Sequence, residues 1–503
     1  MASSDDIKYY KMETIRVRKL NHANLHIQCD SGTAQELNEF FSFYVPGYKF
    51  MPAFRNKMWD GKIRLFTVMS GELPAGLYEH LLQFAEQRDY LVELDDSPYG
   101  KADDYNKVDV KDLYSFIESL AMPYDIRDYQ FDAVSTGIHR KRGVLLSPTG
   151  SGKSLIIYAL MRWYLENYDK MVLVIVPTTS LVEQMYGDFK DYGYDVDNEV
   201  HKIYSGKDKT TMKRVVVSTW QSIYKLPRAW FSHFGMVIGD ECHGFKSKSL
   251  MSIMNKASEA EYRFGTTGTL DGAQTHELVL QGLFGKIYRV TTTKKLQDND
   301  TLSKLNIKRI TLLYSSEVRK SFGKRTYQEE IDFIVSNEYR NKFIRNLALD
   351  LKGNTLILYN YVEKHGAPIF KLINEKVDEN RKAFFVSGNV DTSDREAIRG
   401  IVEKQNNAII VASLGTFSTG INIRNLHNII FASPSKSQIR VLQSIGRGLR
   451  KSDDGKAATL YDISDDISWQ NRKNYSLLHS FERLKMYKKE QFEYTTIQLD
   501  IKS

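Results

Sequence analysis

Lys153 and Ser154 close the run Ser147-Pro148-Thr149-Gly150-Ser151-Gly152-Lys153-Ser154. That order of residue types suits the holding of a triphosphate. Glycines let backbone N–H groups close around an anion, so Thr149, Gly150, Ser151 and Gly152 would form the cradle. Lys153 can reach the outer phosphates, and the Ser154 hydroxyl can ligate Mg²⁺. A second group, Asp240-Glu241-Cys242-His243, supplies what hydrolysis needs. Asp240 can hold Mg²⁺ directly or through water, and Glu241 can orient and deprotonate an attacking water. A third group lies in the stretch from Gln443 to Arg450. Arg447 and Arg450 are three apart and share a helix face, where guanidinium forks can stabilise charge on a transferring phosphoryl group. Gln443 on the same helix can help place the water.

These groups need strand ends and helix starts to hold them. Apolar Gly143-Val144-Leu145-Leu146 precedes the glycine run and Leu155-Ile156-Ile157-Tyr158-Ala159-Leu160 follows it, giving strand, turn and helix. The positive end of the new helix then faces the anion. Val237-Ile238 leads through Gly239 into the acidic pair, which places it at the carboxyl end of a buried strand, where open parallel sheets bind ligands. Short apolar runs at 144–146, 171–176, 215–218 and 236–238 alternate with helical patterns, as buried parallel strands do. The alternation resumes at 355–359, 383–386, 408–412, 428–432 and 459–463, without a second glycine run of this kind.

The reading is therefore α/β, with two doubly wound parallel-sheet domains over 121–295 and 296–475. A small α+β domain over 1–120 precedes them, and a helical tail over 476–503 follows. The polar stretch 291–306 reads as a linker. In the tail Leu477, Leu478, Phe481, Leu484 and Tyr487 recur near helical spacing among Arg483, Lys485, Lys488 and Lys489, predicting an amphipathic helix docked on the body.

The chain has 503 residues, 42% hydrophobic and 26% charged, with a formal charge of +8. That is room for several cores, and the charge favours a polyanionic partner. Two cysteines, Cys29 and Cys242, are too few for a disulfide framework or a structural zinc site and suit a reducing cytoplasm. The opening Met-Ala-Ser-Ser-Asp-Asp is no signal peptide, and no apolar run is long enough to span a bilayer. The expectation is a cytoplasmic protein, in the host cell if a phage encodes it, that binds no membrane and is monomeric or weakly associating.

Asp240-Glu241-Cys242-His243 resembles the DExH box of superfamily-two helicases, and the other motifs of that family follow in order. Arg127-Asp128-Tyr129-Gln130 resembles the adenine-sensing Q motif, in which a glutamine amide pairs with adenine N6 and N7. Val176-Pro177-Thr178-Thr179 resembles motif Ia and Ser218-Thr219-Trp220-Gln221-Ser222 the Ib/Ic region, which implies nucleic-acid contacts at Thr178, Thr219 and Gln221. Gly265-Thr266-Thr267-Gly268-Thr269 resembles motif III, Ile357-Leu358-Tyr359-Asn360 motif IV, Ala412-Ser413-Leu414-Gly415 through Asn422 motif V, and Gln443 through Arg450 motif VI. The family implies ATP and Mg²⁺ as cofactors, two RecA-like domains closing on ATP, and coupling through His243, Thr267, Thr269 and Gly420. Ser147 stands where the glycine run often has Gly or Ala, and Asn422 where many relatives are acidic.

The motor motifs name no polymer. Over its whole length, through segments such as Met58-Trp59-Asp60-Gly61-Lys62-Ile63-Arg64-Leu65 and Thr326-Tyr327-Gln328-Glu329-Glu330-Ile331, the chain is similar to the UvsW-type recombination helicases of tailed phages. That resemblance implies an ATP-driven motor on duplex and branched DNA, such as forks and four-way junctions. It would migrate branches, regress forks and unwind RNA–DNA hybrids in recombination, repair and replication. An RNA helicase and a restriction-type DNA translocase share the same motor motifs. In the first domain Lys49, Arg55, Lys57, Lys62 and Arg64 face only Asp60, with Tyr48, Phe50, Phe54, Trp59 and Phe66 interleaved. Arg55, Lys57, Lys62 and Arg64 can neutralise phosphates and Trp59 can stack on a base. Alternatively, the aromatics fill a small core and Trp59-Asp60-Gly61 is a hairpin turn.

Overall fold

A computed structural model describes residues 13–95, 108–270, 273–299, 305–322, 325–387, 400, 404–415, 425–433, 457–489 and 491–501. It divides into two compact units, one of residues 1–146 and 153–290, the other of residues 147–152 and 291–503.

The first unit opens with a four-stranded sheet. Its strands are β1 (Thr14–Lys19), β2 (Asn24–Gln28), β5 (Glu72–Pro74) and β6 (Leu91–Leu94), in the order β5-β2-β1-β6. Between β2 and β5 a separate antiparallel ribbon forms from β3 (Ser42–Tyr44) and β4 (Lys62–Arg64). Trp59-Asp60-Gly61 therefore leads into β4 instead of joining two adjacent strands, and residues 45–61 form an excursion between the ribbon strands.

Seven parallel strands then build the first motor sheet. They are β7 (Arg142–Leu146), β8 (Met171–Val176), β9 (Val200–Ile203), β10 (Val215–Thr219), β11 (Phe234–Asp240), β12 (Tyr262–Thr267) and β13 (Ile287–Arg289). Their order is β13-β7-β12-β11-β8-β10-β9. Every residue of β10, β11 and β12 is buried, which is why 215–218 and 236–238 read as apolar runs, whereas β12 buries Arg263, Thr266 and Thr267 and gives no such signal.

The small sheet and the motor sheet share one apolar core. Ile15, Leu37, Leu73, Leu77 and Phe84 belong to the same buried cluster as Val144, Leu173, Val237, Leu283 and Phe284. The seam is tight at Gly76, where an added Cβ would lie 1.9 Å from the Gln281 carbonyl oxygen and 2.8 Å from that of Gly282. Arg142 donates from Nη2 to the His22 carbonyl at 2.9 Å across the same seam. The helix Val110–Ser119 is not part of the small sheet's core. Its Leu113 and Ile117, with Leu120, pack with Val134, Ile138 and Ile157 on the other face of the motor sheet. The change of core thus falls ahead of this helix.

The second unit repeats the plan with β14 (Leu305–Leu313), β15 (Thr355–Tyr359), β16 (Ala383–Val386), β17 (Ile409–Ser413), β18 (Asn428–Phe431), β19 (Ala458–Asp466) and β20 (Tyr494–Asp500). All are parallel, in the order β16-β17-β15-β18-β19-β14-β20. The described residues of the stretch expected to be a linker include regular elements. A helix, Thr293–Asp298, buries Leu296, and β14 has begun by Leu305.

The tail also differs from expectation. Its helix, Tyr475–Lys489, docks, but much of the docked face is polar: Ser476, Ser480 and Arg483 are buried while Leu478 is exposed. Arg483 donates to both carboxylate oxygens of buried Asp462, and Tyr487 donates to the same carboxylate at 3.0 Å. The Glu330 carboxylate accepts from the backbone N–H groups of Tyr475 and Ser476, satisfying orphan donors at the helix start. A hydrophobic-spacing argument is blind to such a face, because its satisfaction comes from strands far away in sequence. After this helix, β20 adds an edge strand that the residue pattern did not announce. Among the described residues, no helix is long and apolar enough to cross a membrane.

Candidate active site

Five adjacent strands of the first motor sheet each carry a motif at the carboxyl end. The glycine run follows β7, Thr267–Thr269 follows β12, Asp240-Glu241 ends β11, Thr178 follows β8, and Thr219 ends β10. Neighbours in the sheet thus carry the successive motifs side by side, although the chain visits them out of order. In a parallel sheet all these ends share one edge, the position where such folds bind ligands.

The glycine run turns through Gly150 (φ +83°) and Gly152 (φ +80°), a backbone region that side chains disfavour. The helix Lys153–Asn167 starts directly after it. Ser147, the departure from the family pattern, is fully buried and bonds Ser151 through the two hydroxyl oxygens at 2.5 Å. Ser151 Oγ in turn donates to the Pro148 carbonyl at 2.6 Å, so the serines brace the loop from within. The Ser154 hydroxyl lies 2.9 Å from the Tyr192 hydroxyl, a partner with no signature in the sequence.

Asp240 ends β11 opposite Thr266 in the parallel register, and Thr266 Oγ1 donates to its Oδ1 at 2.7 Å. Burial, with the neighbouring Glu241 charge, pushes the Asp240 carboxyl up to about 6, and the charge of Lys153 pulls the other way. Glu241 has φ +50°, a left-handed conformation unusual for a residue with a Cβ. Strain of this kind is held only where the surroundings over-determine it, and here it ends the strand and starts the turn Cys242–Lys246. Cys242 is buried, with Gly265 against it, so the third residue of the acidic motif is a core plug.

His243 connects this acidic motif to the next strand. Its Nδ1 lies 3.4 Å from Glu241 Oε2 and 3.1 Å from Thr267 Oγ1. Thr267 Oγ1 donates its only proton to the Thr269 carbonyl at 3.0 Å. Its oxygen can then only accept from His243, which assigns the ring proton to Nδ1.

The remaining expected positions divide. Gln130 is buried, and its Oε1 accepts from the Arg127 backbone N–H at 2.9 Å, capping the helix Asp128–Arg140. Arg127 donates from its guanidinium to the Tyr129 hydroxyl. Thr178 caps the helix Thr179–Asp191 through Oγ1, and Gln221 donates to the Pro177 carbonyl at 3.2 Å, tying the ends of β8 and β10 together. Thr219 is buried, with its hydroxyl 2.9 Å from that of Ser222, so its side chain frames this edge from inside. In the small domain Arg55, Lys57 and Arg64 are exposed and Lys62 half-buried, while Trp59 is half-buried with Nε1 donating to the Lys62 carbonyl at 2.8 Å. Gly420, Gln443, Arg447 and Arg450 lie outside the described residues.

The donors expected for magnesium are a hydroxyl and a carboxylate, the hard oxygens that this ion takes alongside phosphate and water. Thr266 occupies Oδ1 of Asp240, which leaves Oδ2 for an ion. Among the described residues no cluster of three or more His, Cys, Asp or Glu could hold a metal by protein ligands alone.

The raised Asp240 pKa has a measurable consequence. Its folded value lies above the ordinary 3.8, so the fold favours the protonated form, and stability present below pH 4 is lost as pH rises through about 6. Asp240→Asn removes that dependence. Without nucleotide and magnesium, the variant is expected to melt roughly 2–4 °C higher than the parent at pH 7.5 and to show a smaller gain at pH 4.5. Thermal melts at the two pH values check this, and an equal difference at both would reject it.

Three family models match successive parts of the chain. "DNA helicase UvsW, N-terminal" matches residues 14–95, "Type III restriction enzyme, res subunit" 123–272, and "Helicase conserved C-terminal domain" 339–452. The ATP-dependent DNA helicase uvsW of Enterobacteria phage T4 is 37% identical over 499 residues, which are 95% of this chain and 98% of that protein. The DNA 3'-5' translocase XPB2 of Sulfurisphaera tokodaii is 25% identical over 84% of this chain and 93% of its own length. Among solved structures, that of T4 UvsW superposes with a TM-score of 0.50 at 35% identity, covering 97% of this chain and 99% of that one. A DNA-bound Type ISP restriction-modification enzyme, LlaBIII, shares the fold over 75% of this chain and 32% of its own, with a TM-score of 0.55 at 15% identity.

Proposed function

The chain belongs to the UvsW family of ATP-dependent DNA helicases, and on that premise we propose that it is a motor for branched DNA, moving junctions and regressing forks. The observation that carries the reading is the link from Glu241 through His243 to Thr267. A hydrolytic carboxylate joined by one side chain to the neighbouring strand end suits an enzyme whose nucleotide state must be felt elsewhere.

In this reading Lys153 holds the outer phosphates, and Glu241 orients the attacking water and takes its proton. Magnesium, held through Asp240 and Ser154, would neutralise phosphate charge. Arg127 and Gln130 lie against the adenine, and Gln443, Arg447 and Arg450 serve the transferring phosphoryl group. Gly420 and Thr269 belong to the coupling path with His243 and Thr267. Thr178 and Gln221 contact the tracked strand. In the small domain Arg55, Lys57, Lys62 and Arg64 hold phosphates, and because that domain shares a core with the first motor sheet, its grip moves with the motor.

The test is strand displacement on forks, four-way junctions, linear duplex and RNA duplex with ATP. Forks and junctions should be remodelled at least tenfold faster than RNA duplex. Equal rates on RNA would favour a general helicase. Duplex tracking with no preference for branches would favour a restriction-type translocase.

A further inference from the structure

Residues 45–61 form a braced protrusion with apolar tips. Val45 N–H donates to the Gly61 carbonyl at 2.9 Å and closes its base. At its base Tyr44, the last residue of β3, stacks on Tyr48 with centroids 4.6 Å apart, and Tyr48 meets Phe54 edge-on at 4.7 Å. A Cβ on Gly61 would come within 2.3 Å of the Tyr48 ring, so that ring lies directly on the glycine. Trp59 is pinned through its indole N–H to the Lys62 carbonyl. These aromatics, Tyr44 exposed and the other three half-buried, form a small ring cluster that braces the protrusion.

Phe50 and Met58 lie outside that cluster. Phe50 is 85% exposed and Met58 80%, which places them with Met69 and Met212 as the most exposed large apolar side chains among the described residues. The backbone presents them in fixed ways. Phe50 N–H donates to the Gly47 carbonyl, and Met58 N–H to that of Ala53. Just before Met58, Lys57 holds φ +56°, where glycine would be easier. The surrounding charge has one sign. The single acid of the protrusion, Asp60, is taken by Arg64 and by the Lys62 backbone N–H. Among the described residues Arg55 and Lys57 meet no carboxylate.

We propose that Phe50 and Met58 contact unstacked bases at the branch point of DNA, with Arg55 and Lys57 on the flanking phosphates. This rests on the DNA-motor reading above. Apolar tips set among unpaired cations fit a nucleic acid whose bases are open. An intact duplex keeps its base faces stacked, and a protein interface tends to exclude lysine. Trp59, the aromatic that residue type alone favoured, braces the protrusion, and the contact passes to its exposed neighbours.

The test compares the parent protein with the Phe50→Ala/Met58→Ala double variant on a fork carrying 2-aminopurine at its branch. With a non-hydrolysed ATP analogue, binding of the parent should raise the fluorescence, reporting an unstacked base. The double variant should bind the fork but leave the signal unraised. With ATP, fork regression per ATP hydrolysed should fall roughly tenfold or more, the scale of losing one or two base contacts. Lys57→Gly suits the left-handed backbone and removes only the cation. It should weaken fork binding in a salt-dependent way and keep the fluorescence rise per bound complex. A double variant with the parent's signal and regression per ATP would overturn the proposal, as would a matched loss of regression and hydrolysis. A parent protein that remodels no DNA would instead overturn the motor reading on which it rests.

Discussion

Lys153→Ala is expected to lower DNA-stimulated ATP hydrolysis about a hundredfold to a thousandfold, the range seen when one preorganised charge is removed from a transition state. Glu241→Gln should cost about 10²–10⁴-fold, because it removes a proton acceptor while keeping shape and hydrogen-bonding capacity. Both changes should leave fork binding within about threefold, since neither side chain belongs to the cationic protrusion. The pair is informative because the two residues act differently. In the proposed mechanism Lys153 acts on the phosphates, so its loss should raise the KM for ATP as well as lower kcat. Glu241 is proposed to act on the water, so its loss should appear in kcat with KM little changed. Its backbone sets a further condition. At φ +50° the residue is held against its preference, and glutamine inherits the same turn, so the variant isolates the chemistry from the geometry. Steady-state turnover with forked DNA and anisotropy binding to the same fork measure both. Turnover of either variant within tenfold of the parent would remove the assignment.

A chain starting at residue 108 should fail to give a soluble, cooperatively melting first motor domain. In a modular helicase, trimming an accessory domain is the natural way to ask what it does. Here the trimmed piece includes part of the motor's own core. Leu73 and Leu77 are fully buried in the cluster that also holds Leu283 and Phe284. Their removal would bare a contiguous apolar face, a recipe for aggregation. Gly76→Val gives a graded version. Its new side chain would begin 1.9 Å from the Gln281 carbonyl oxygen, and a backbone atom in a packed helix has nowhere to go. A fall in melting temperature of several degrees is expected. A truncated chain that is soluble and melts with the full-length protein would show the seam to be dispensable.

Much of this architecture is legible in residue types. Buried parallel strands advertise themselves, and β8, β15 and β16 run over the very residues that the apolar runs marked. The motifs announce their own positions because phosphate chemistry demands particular side chains at particular spacings. What stays hidden is relational. Tyr192 holds the Ser154 hydroxyl from the end of a distant helix, and nothing about a tyrosine there suggests it. The Asp240–Thr266 bond follows from strand register, which two separate segments set jointly. The left-handed turn at Glu241 occurs at a residue type that ordinarily avoids it. The polar part of the tail helix's docked face is hidden for the same reason: Arg483 and Ser480 are satisfied by Asp462 and Arg309, partners that helical periodicity cannot see. In the protrusion, composition pointed to a mixture of cations and rings. Only the fold separates the rings that build it from the one that leaves it.

The second motor sheet carries an implication for how the protein is made. Strand β14, at residues 305–313, sits between β19 and β20, so both of its hydrogen-bonding neighbours come from residues 458–500. As the chain leaves the ribosome, β15 through β18 can pair with one another early, while β14 has emerged and has no partner. Its alternate residues Leu305 and Ile307 and the run from Ile310 to Leu312 are buried in the finished sheet, so in the nascent chain they are a sticky strand left waiting. Pairings this distant in sequence form slowly, because the intervening loop must close first. Stalled translation short of β19 would leave a fully built nucleotide-binding domain tethered to an unfinished second one, able to grip but not to work. A premature stop there should therefore do more than lose function: it should yield a product that holds its substrate and invites aggregation and proteolysis.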